Sequence, residues 1–332
     1  MEPESSNSIA EEVVYYNEAV VEVVGEAEET LKTEEEEERR LKRVYEENVD
    51  KVITELERRN YFLGYDQAQS RDQFLLHKKV LKRYKVELVP YRESWSVDLF
   101  AVGHNTVKTE ILDMYDIVRS LEDQGREVGK GPVLYFCGWW STFLSVVTEF
   151  LDMEDQVIYP WIENKADLGG TRLSKSNRTS TRRQLRDLML KAVAQESNLD
   201  YIPPSEVVLK MLEVLNELDV VLLTYINHVK AKIPQLVEEK FTEDEYRCDL
   251  LPAISSHLHS TEDWNKVAPI TIRWMREDQA AFWQSEFLTR RDKRKFSNWR
   301  RLVERTHWEL RDCVVERRTP KTREARKVLE GS

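Results

Sequence analysis

The chain has 332 residues and carries 50 Lys plus Arg against 61 Asp plus Glu, a formal net charge of -11. With 10 Gly, 10 Pro, 9 Trp and 13 Tyr it is neither collagen-like nor wholesale disordered. Three scattered cysteines, Cys137, Cys248 and Cys313, exclude a disulfide framework or a CxxC site and predict a reducing compartment. The charge is unevenly spread. Residues 1–50 hold 17 acids and 5 bases, whereas residues 290–332 hold 7 acids and 15 bases. An acidic head and a basic tail therefore flank the body.

Residues 1–27 are acidic with short apolar clusters and are expected to be partly disordered. Residues 28–90 read as a charged helical extension. Over 28–60 the pairs Glu35–Arg39, Glu36–Arg40 and Glu38–Lys42 support a helix, and Leu41, Tyr45, Val49, Val52 and Leu56 form its apolar stripe. The first basic residue is Lys32, so neither a secretory signal nor a mitochondrial presequence is expected. The 18 uncharged residues from Gly131 to Thr148 are at the short end for a membrane span and include Pro132, Gly138 and Ser141. They predict a buried core helix, in a soluble, cytoplasmic protein with no membrane partner.

Residues 91–245 carry four helical patterns. The first lies between a Ser96 N-cap and a Gly125 stop, with Phe100, His104, Val107, Ile111, Met114 and Val118 inward. The second opens at Pro132 and turns Phe136, Trp140, Phe143, Val147, Phe150, Glu154, Val157 and Trp161 inward. A polar loop over about 164–177 precedes a shorter helix at about 178–196, with Leu185, Leu188, Ala192 and Val193 inward. Pro203-Pro204-Ser205 starts a long fourth helix on Val207, Met211, Val214, Leu218, Val221 and Tyr225. Thr242 and Glu245 form a capping box for the next element. No segment alternates like a strand. The pattern predicts an all-α fold, an up-and-down four-helix bundle with extra N- and C-terminal helices. Residues 246–332 form a C-terminal helical extension with a basic tail, anchored by Trp274, Phe282, Trp283, Phe287, Trp299 and Trp308.

Polar residues interrupt these stripes at His104, Glu154 and His228, each on or beside the inward face of a different long helix. A buried carboxylate needs a partner, a hydrogen bond or a metal, and bundle cores build metal sites from such residues. The segments His104–Leu112, Met153–Pro160 and Ile233–Glu245 resemble hemerythrin-like (HHE cation-binding) domains. The resemblance covers roughly 91–245. It implies a bundle holding two irons, with histidines from all four helices and bridging carboxylates from the second and fourth.

Carried over residue by residue, the resemblance assigns the first-helix histidine to His104 and the second-helix carboxylate to Glu154. Phe150 stands at the second-helix histidine position, Thr224 at the fourth-helix histidine position and His228 at the fourth-helix carboxylate position. The third-helix histidine would fall near Arg178 or Thr179, yet no histidine occurs between 105 and 227. The chain thus resembles a divergent member lacking most di-iron ligands. No cofactor is the expectation. The alternative is one iron or zinc ion on His104, Glu154 and His228, a donor set suited to either metal.

His257 and His259 cannot chelate together on one helix, since i and i+2 point apart. They are expected at an exposed helix end or loop. No dinucleotide, P-loop, zincin or nucleophile-elbow pattern occurs, and no catalytic residue is assigned. The basic tail around Arg290–Arg301 interleaves aromatics with bases, a pattern RNA binding would use. The competing expectation is an amphipathic helix that packs Trp299, Leu302 and Trp308 inward. Function is expected to be that of a structural or protein-interaction module, not an enzyme, its partner engaged through the N-terminal charged helix or the C-terminal extension. The alternatives are a mononuclear metal-binding, iron- or oxygen-responsive factor, and an RNA-binding protein.

Overall fold

The computed structural model describes residues 81–321. The acidic head over 1–27, the charged helix over 28–60 and the last residues of the basic tail lie outside them. Among the described residues the fold is all-helical, with eight helices and no strand. Helix α1 is Trp95–Gln124. Helix α2 runs over Lys130–Met153, through a π turn at Glu154–Ile158, to Tyr159–Glu163. Helices α3 and α4 are Lys175–Ala194 and Pro204–Lys240. Helix α5 joins Glu243–Glu245, a π turn at Tyr246–Leu250 and Leu251–Ser260. Helices α6 and α7 are Trp264–Thr271 and Glu277–Phe287. Helix α8 joins Arg290–Val303, a π turn at Glu304–Trp308 and Glu309–Val315.

Local chemistry accounts for most of the boundaries. Gly125 ends α1 with φ +56°, and its N–H closes on the carbonyls of Leu121 and Glu122. The start of α1 differs from expectation, because the N-cap is Ser94 and Ser96 lies inside the helix. The Ser96 hydroxyl is diverted to Glu238 Oε1 at 2.6 Å, tying α1 to the end of α4. Thr242 and Glu245 form the expected reciprocal capping box at α5. Pro160 has no N–H for the Gln156 carbonyl, and its ring crowds that carbonyl. The ladder widens just before it, where the Tyr159 N–H reaches back to Glu154 O.

Helix α1 packs against α4 and α2, and α3 packs against the same two helices. The inward stripes meet between them: Phe100, Val107, Ile111, Met114 and Val118 of α1, and Phe136, Trp140, Phe143, Val147 and Phe150 of α2, are all buried. Val193, expected inward on α3, is exposed instead. The uncharged stretch from Gly131 forms core helix α2, and no described helix is long and apolar enough to cross a membrane.

Helix α8 packs its last turns on α2 and α1, and α6 packs on α8 and α1. Phe296, Val303, His307 and Leu310 form the buried side of α8. Leu302, expected inward, is exposed, because the buried 296-303-307-310 steps turn it outward. The Ser120 hydroxyl donates to Val314 O at 2.7 Å, so the C-terminal helix shares a core with α1.

Candidate functional site

Two of the three predicted site residues meet. His104 on α1 and Glu154 at the π turn of α2 are buried, with Nε2 3.0 Å from Glu154 Oε1. The second oxygen, Glu154 Oε2, accepts from the Tyr225 hydroxyl of α4. Tyr225 spends its one proton on Glu154, so Tyr159, 3.1 Å away, must donate to the Tyr225 oxygen. Burial and the Glu154 charge hold the Tyr225 phenol far above its ordinary range. Burial, then the same charge, raises Tyr159 as well. Both phenols therefore remain protonated donors. The result is a closed chain, Tyr159 to Tyr225 to Glu154, with His104 on the other oxygen.

The other positions named by the resemblance lie in different settings. Phe150 is buried against the α1 backbone at Gly103, where a Cβ would lie 2.8 Å from Phe150 Cδ1. Arg178, one of the two residues near the third-helix position, is buried. Its guanidinium lies 3.9 Å over the Tyr159 ring and donates to Glu163 Oε1 at 2.7 Å and Leu173 O at 2.6 Å. A second carboxylate, Asp155 Oδ1, lies 3.6 Å from its Nε, so the buried guanidinium is held between two acids. Thr224 is exposed.

His228 corrects the expected three-residue set. It is half-buried, and its Nε2 lies 2.9 Å from Arg172 Nη1 in the α2–α3 loop. The inward face of α4 runs through Tyr225, Val229 and Ile233, so position 228 falls at its edge. Among the described residues no group of three or more His, Cys, Asp or Glu side chains could hold a metal ion.

The remaining sequence candidates separate cleanly. His257 lies 3.3 Å from Glu149 Oε1 on α2, whereas His259 Nε2 lies 3.0 Å from Asp292 Oδ2 on α8. Both are half-buried rather than exposed, each bridging α5 to a different helix. Cys137 is buried, and burial pushes its thiol up to about 12, as a packed apolar residue requires.

Sequence reasoning missed the tyrosines and a second buried network. Tyr225 was legible as a stripe residue, and a buried phenol one helix away is a natural partner for a buried Glu154. The second network links α1 to α8. His307 Nε2 lies 2.6 Å from Glu110 Oε2, with the His307 ring stacked on Trp139 at 5.3 Å between centroids. Arg273 reaches Glu110 at 3.5 Å and Asp113 Oδ1 at 3.1 Å, and Arg311 Nε lies 3.1 Å from the same Asp113 oxygen. Asp219 on α4 is a fourth buried acid. Its side chain faces the Tyr115 hydroxyl and has no cationic partner among the described residues, and burial pushes its carboxyl up to about 7. Comparison of the chain with protein-family models, with curated proteins and with solved structures finds no match.

Proposed function

We propose that this chain is a non-catalytic interaction module, built on a divergent hemerythrin-like, up-and-down four-helix bundle without a di-iron centre. The observation that carries the reading is the engagement of both Glu154 oxygens by His104 and Tyr225. A bridging carboxylate must offer those lone pairs to metal; here they accept protein hydrogen bonds.

The interaction face in this reading is α8. Arg290, Arg291, Lys293, Arg294, Lys295 and Arg301 are exposed and take no acidic partner among the described residues. Phe296 is buried and Trp299 packs on it at 6.3 Å, so the aromatics that RNA stacking would use turn away from this cationic face. That arrangement favours an acidic protein segment over RNA as the partner. The test is titration of the full chain with poly-L-glutamate and with a single-stranded RNA oligonucleotide. Binding to polyglutamate should weaken with salt and be lost in Arg291→Glu/Arg294→Glu. Equal binding of polyglutamate by that variant, or a clear preference for RNA, would overturn the assignment of this face.

A further inference from the structure

A cleft of about 450 Å³ opens among the loop before α1, the first turns of α1, and helices α2, α5, α6 and α7. Its walls mix aromatic rings, among them Tyr91, Trp95, Tyr246 and Phe282, with aliphatic side chains such as Leu251 and Ile254. Trp95 and Tyr246 lie 5.6 Å apart at 31°, and Trp283 stacks on Phe287 at 5.2 Å, so broad ring surfaces are held in place. The volume falls within the range of roughly 300–1,000 Å³ typical of small-molecule sites.

The charges around this cleft have one predominant sign. It is lined by Glu93, Asp98, Glu243 and Glu286 against Arg92 and Arg247. Arg247 is committed to Glu243, at 2.9 Å from Nε and 2.6 Å from Nη2. Arg92 is committed to a ring, its guanidinium 4.1 Å from the Phe282 centroid. The latter contact shows a cation already resting on one aromatic wall. Arg92 has φ +70°, an unfavourable conformation for a residue with a Cβ, and its N–H is held by Asp98 Oδ1 at 2.8 Å. Asp98 thereby fixes the rim with one oxygen and keeps the other unengaged. Glu286 has no described ion-pair partner. Burial, then the Asp98 charge, holds both Tyr91 and Tyr246 above their ordinary range, so neither phenol ionises to compete with the carboxylates.

Aromatic faces attract cations through the ring quadrupole, and the attraction strengthens when water is excluded. Carboxylates at the rim add a counter-charge. We propose that this cleft binds a small organic cation, an alkylammonium with apolar substituents, with Asp98 and Glu286 as counter-ions and the rings of Trp95 and Tyr246 as its walls. The combination selects against inorganic cations, which lose hydration without gaining apolar contact. It selects against anions by charge and against neutral apolar molecules by the absence of a charge for the carboxylates to meet. Burial pushes the Asp98 carboxyl up to about 6, so affinity falls as the pH drops through that value and the carboxylate is neutralised.

Choline and its uncharged isostere 3,3-dimethyl-1-butanol separate charge from shape. In calorimetric titrations of the full chain, choline should bind saturably at one site. The alcohol should bind at least about tenfold more weakly, the loss expected when a desolvated cation–π contact is removed. Asp98→Asn retains an oxygen for the Arg92 N–H, so the rim stays intact while the counter-charge is lost; choline affinity should fall about tenfold or more. Trp95→Leu, at the half-buried wall, gives an independent variant and should weaken choline more than the alcohol. Equal affinity for the two probes, or choline binding unchanged by both substitutions, would overturn the proposal. So would the absence of saturable choline binding. Phosphatidylcholine vesicles form a further arm, and co-sedimentation with them in place of free choline binding would overturn assignment to a free ion.

Discussion

Two buried histidine–glutamate pairs, His104–Glu154 and His307–Glu110, share nearly the same local contact and differ in everything around it. At the first, Nε2 to oxygen is 3.0 Å, and the spare carboxylate oxygen is taken by a phenol. At the second the distance is 2.6 Å, and the surroundings are charged: Arg273, Asp113 and Arg311 form an ion network, while His307 Nδ1 has no partner. The first pair closes a hydrogen-bond chain within the packed helices α1, α2 and α4. The second fastens α8 to α1 by balanced charge. A histidine beside a buried glutamate is therefore not in itself a metal site; its outer partners decide what it does.

The largest effect is expected at the charged pair. Glu110→Ala leaves the Arg273–Asp113–Arg311 network unbalanced in a buried setting, which typically costs about 3–5 kcal/mol. Urea denaturation should show that loss, and a cost below about 1 kcal/mol would show that the network contributes little to native stability. Asp219 supplies a contrast, a buried acid with no cationic partner among the described residues. Its folded value of about 7 is raised above the ordinary 3.8. Between those values the native state retains a proton that the unfolded chain has released. Its contribution to stability therefore falls as pH rises through that window and is level above it. Asp219→Asn should stabilise the protein by about 1–3 kcal/mol at pH 8 and have little effect near pH 4, read from unfolding curves at both pH values.

Tyr225→Phe removes the donor to Glu154 and the acceptor of Tyr159 together, and should cost about 1–3 kcal/mol in the same assay. A neutral result would mean that Glu154 finds another donor. The smallest effect is at Gly103. Replacing a helical glycine with alanine ordinarily gains about 1 kcal/mol, but the 2.8 Å approach to Phe150 should reverse the sign. Gly103→Ala should lower the melting temperature, and adding Phe150→Leu should restore it.

The sequence made the helices legible because their apolar stripes repeat every three or four residues. Phe100 through Val118, and Phe136 through Phe150, are buried as that period requires. Chain-local chemistry was equally readable at Gly125 and in the Thr242–Glu245 capping box. The site was legible in part. His104 and Glu154 were found as polar breaks in apolar stripes. His228 was misplaced, since one position on a helix turns a side chain by about 100 degrees and carries it to the edge of the buried face. Glu110 and His307 are separated by almost 200 residues, so their pairing has no local sequence signal. The aromatic cleft is assembled from five elements and was equally hidden. Leu302 erred for the same reason as His228: a helical period sets a face only to within its border.

The central claim is that the two Glu154 oxygens are held by His104 and Tyr225 and bind no metal. Elemental analysis of untagged protein, with iron and zinc supplied during expression, tests it most directly. The account predicts metal well below one equivalent, unchanged in His104→Ala and in Tyr225→Phe. About one equivalent of bound iron or zinc, lost in His104→Ala, would contradict it.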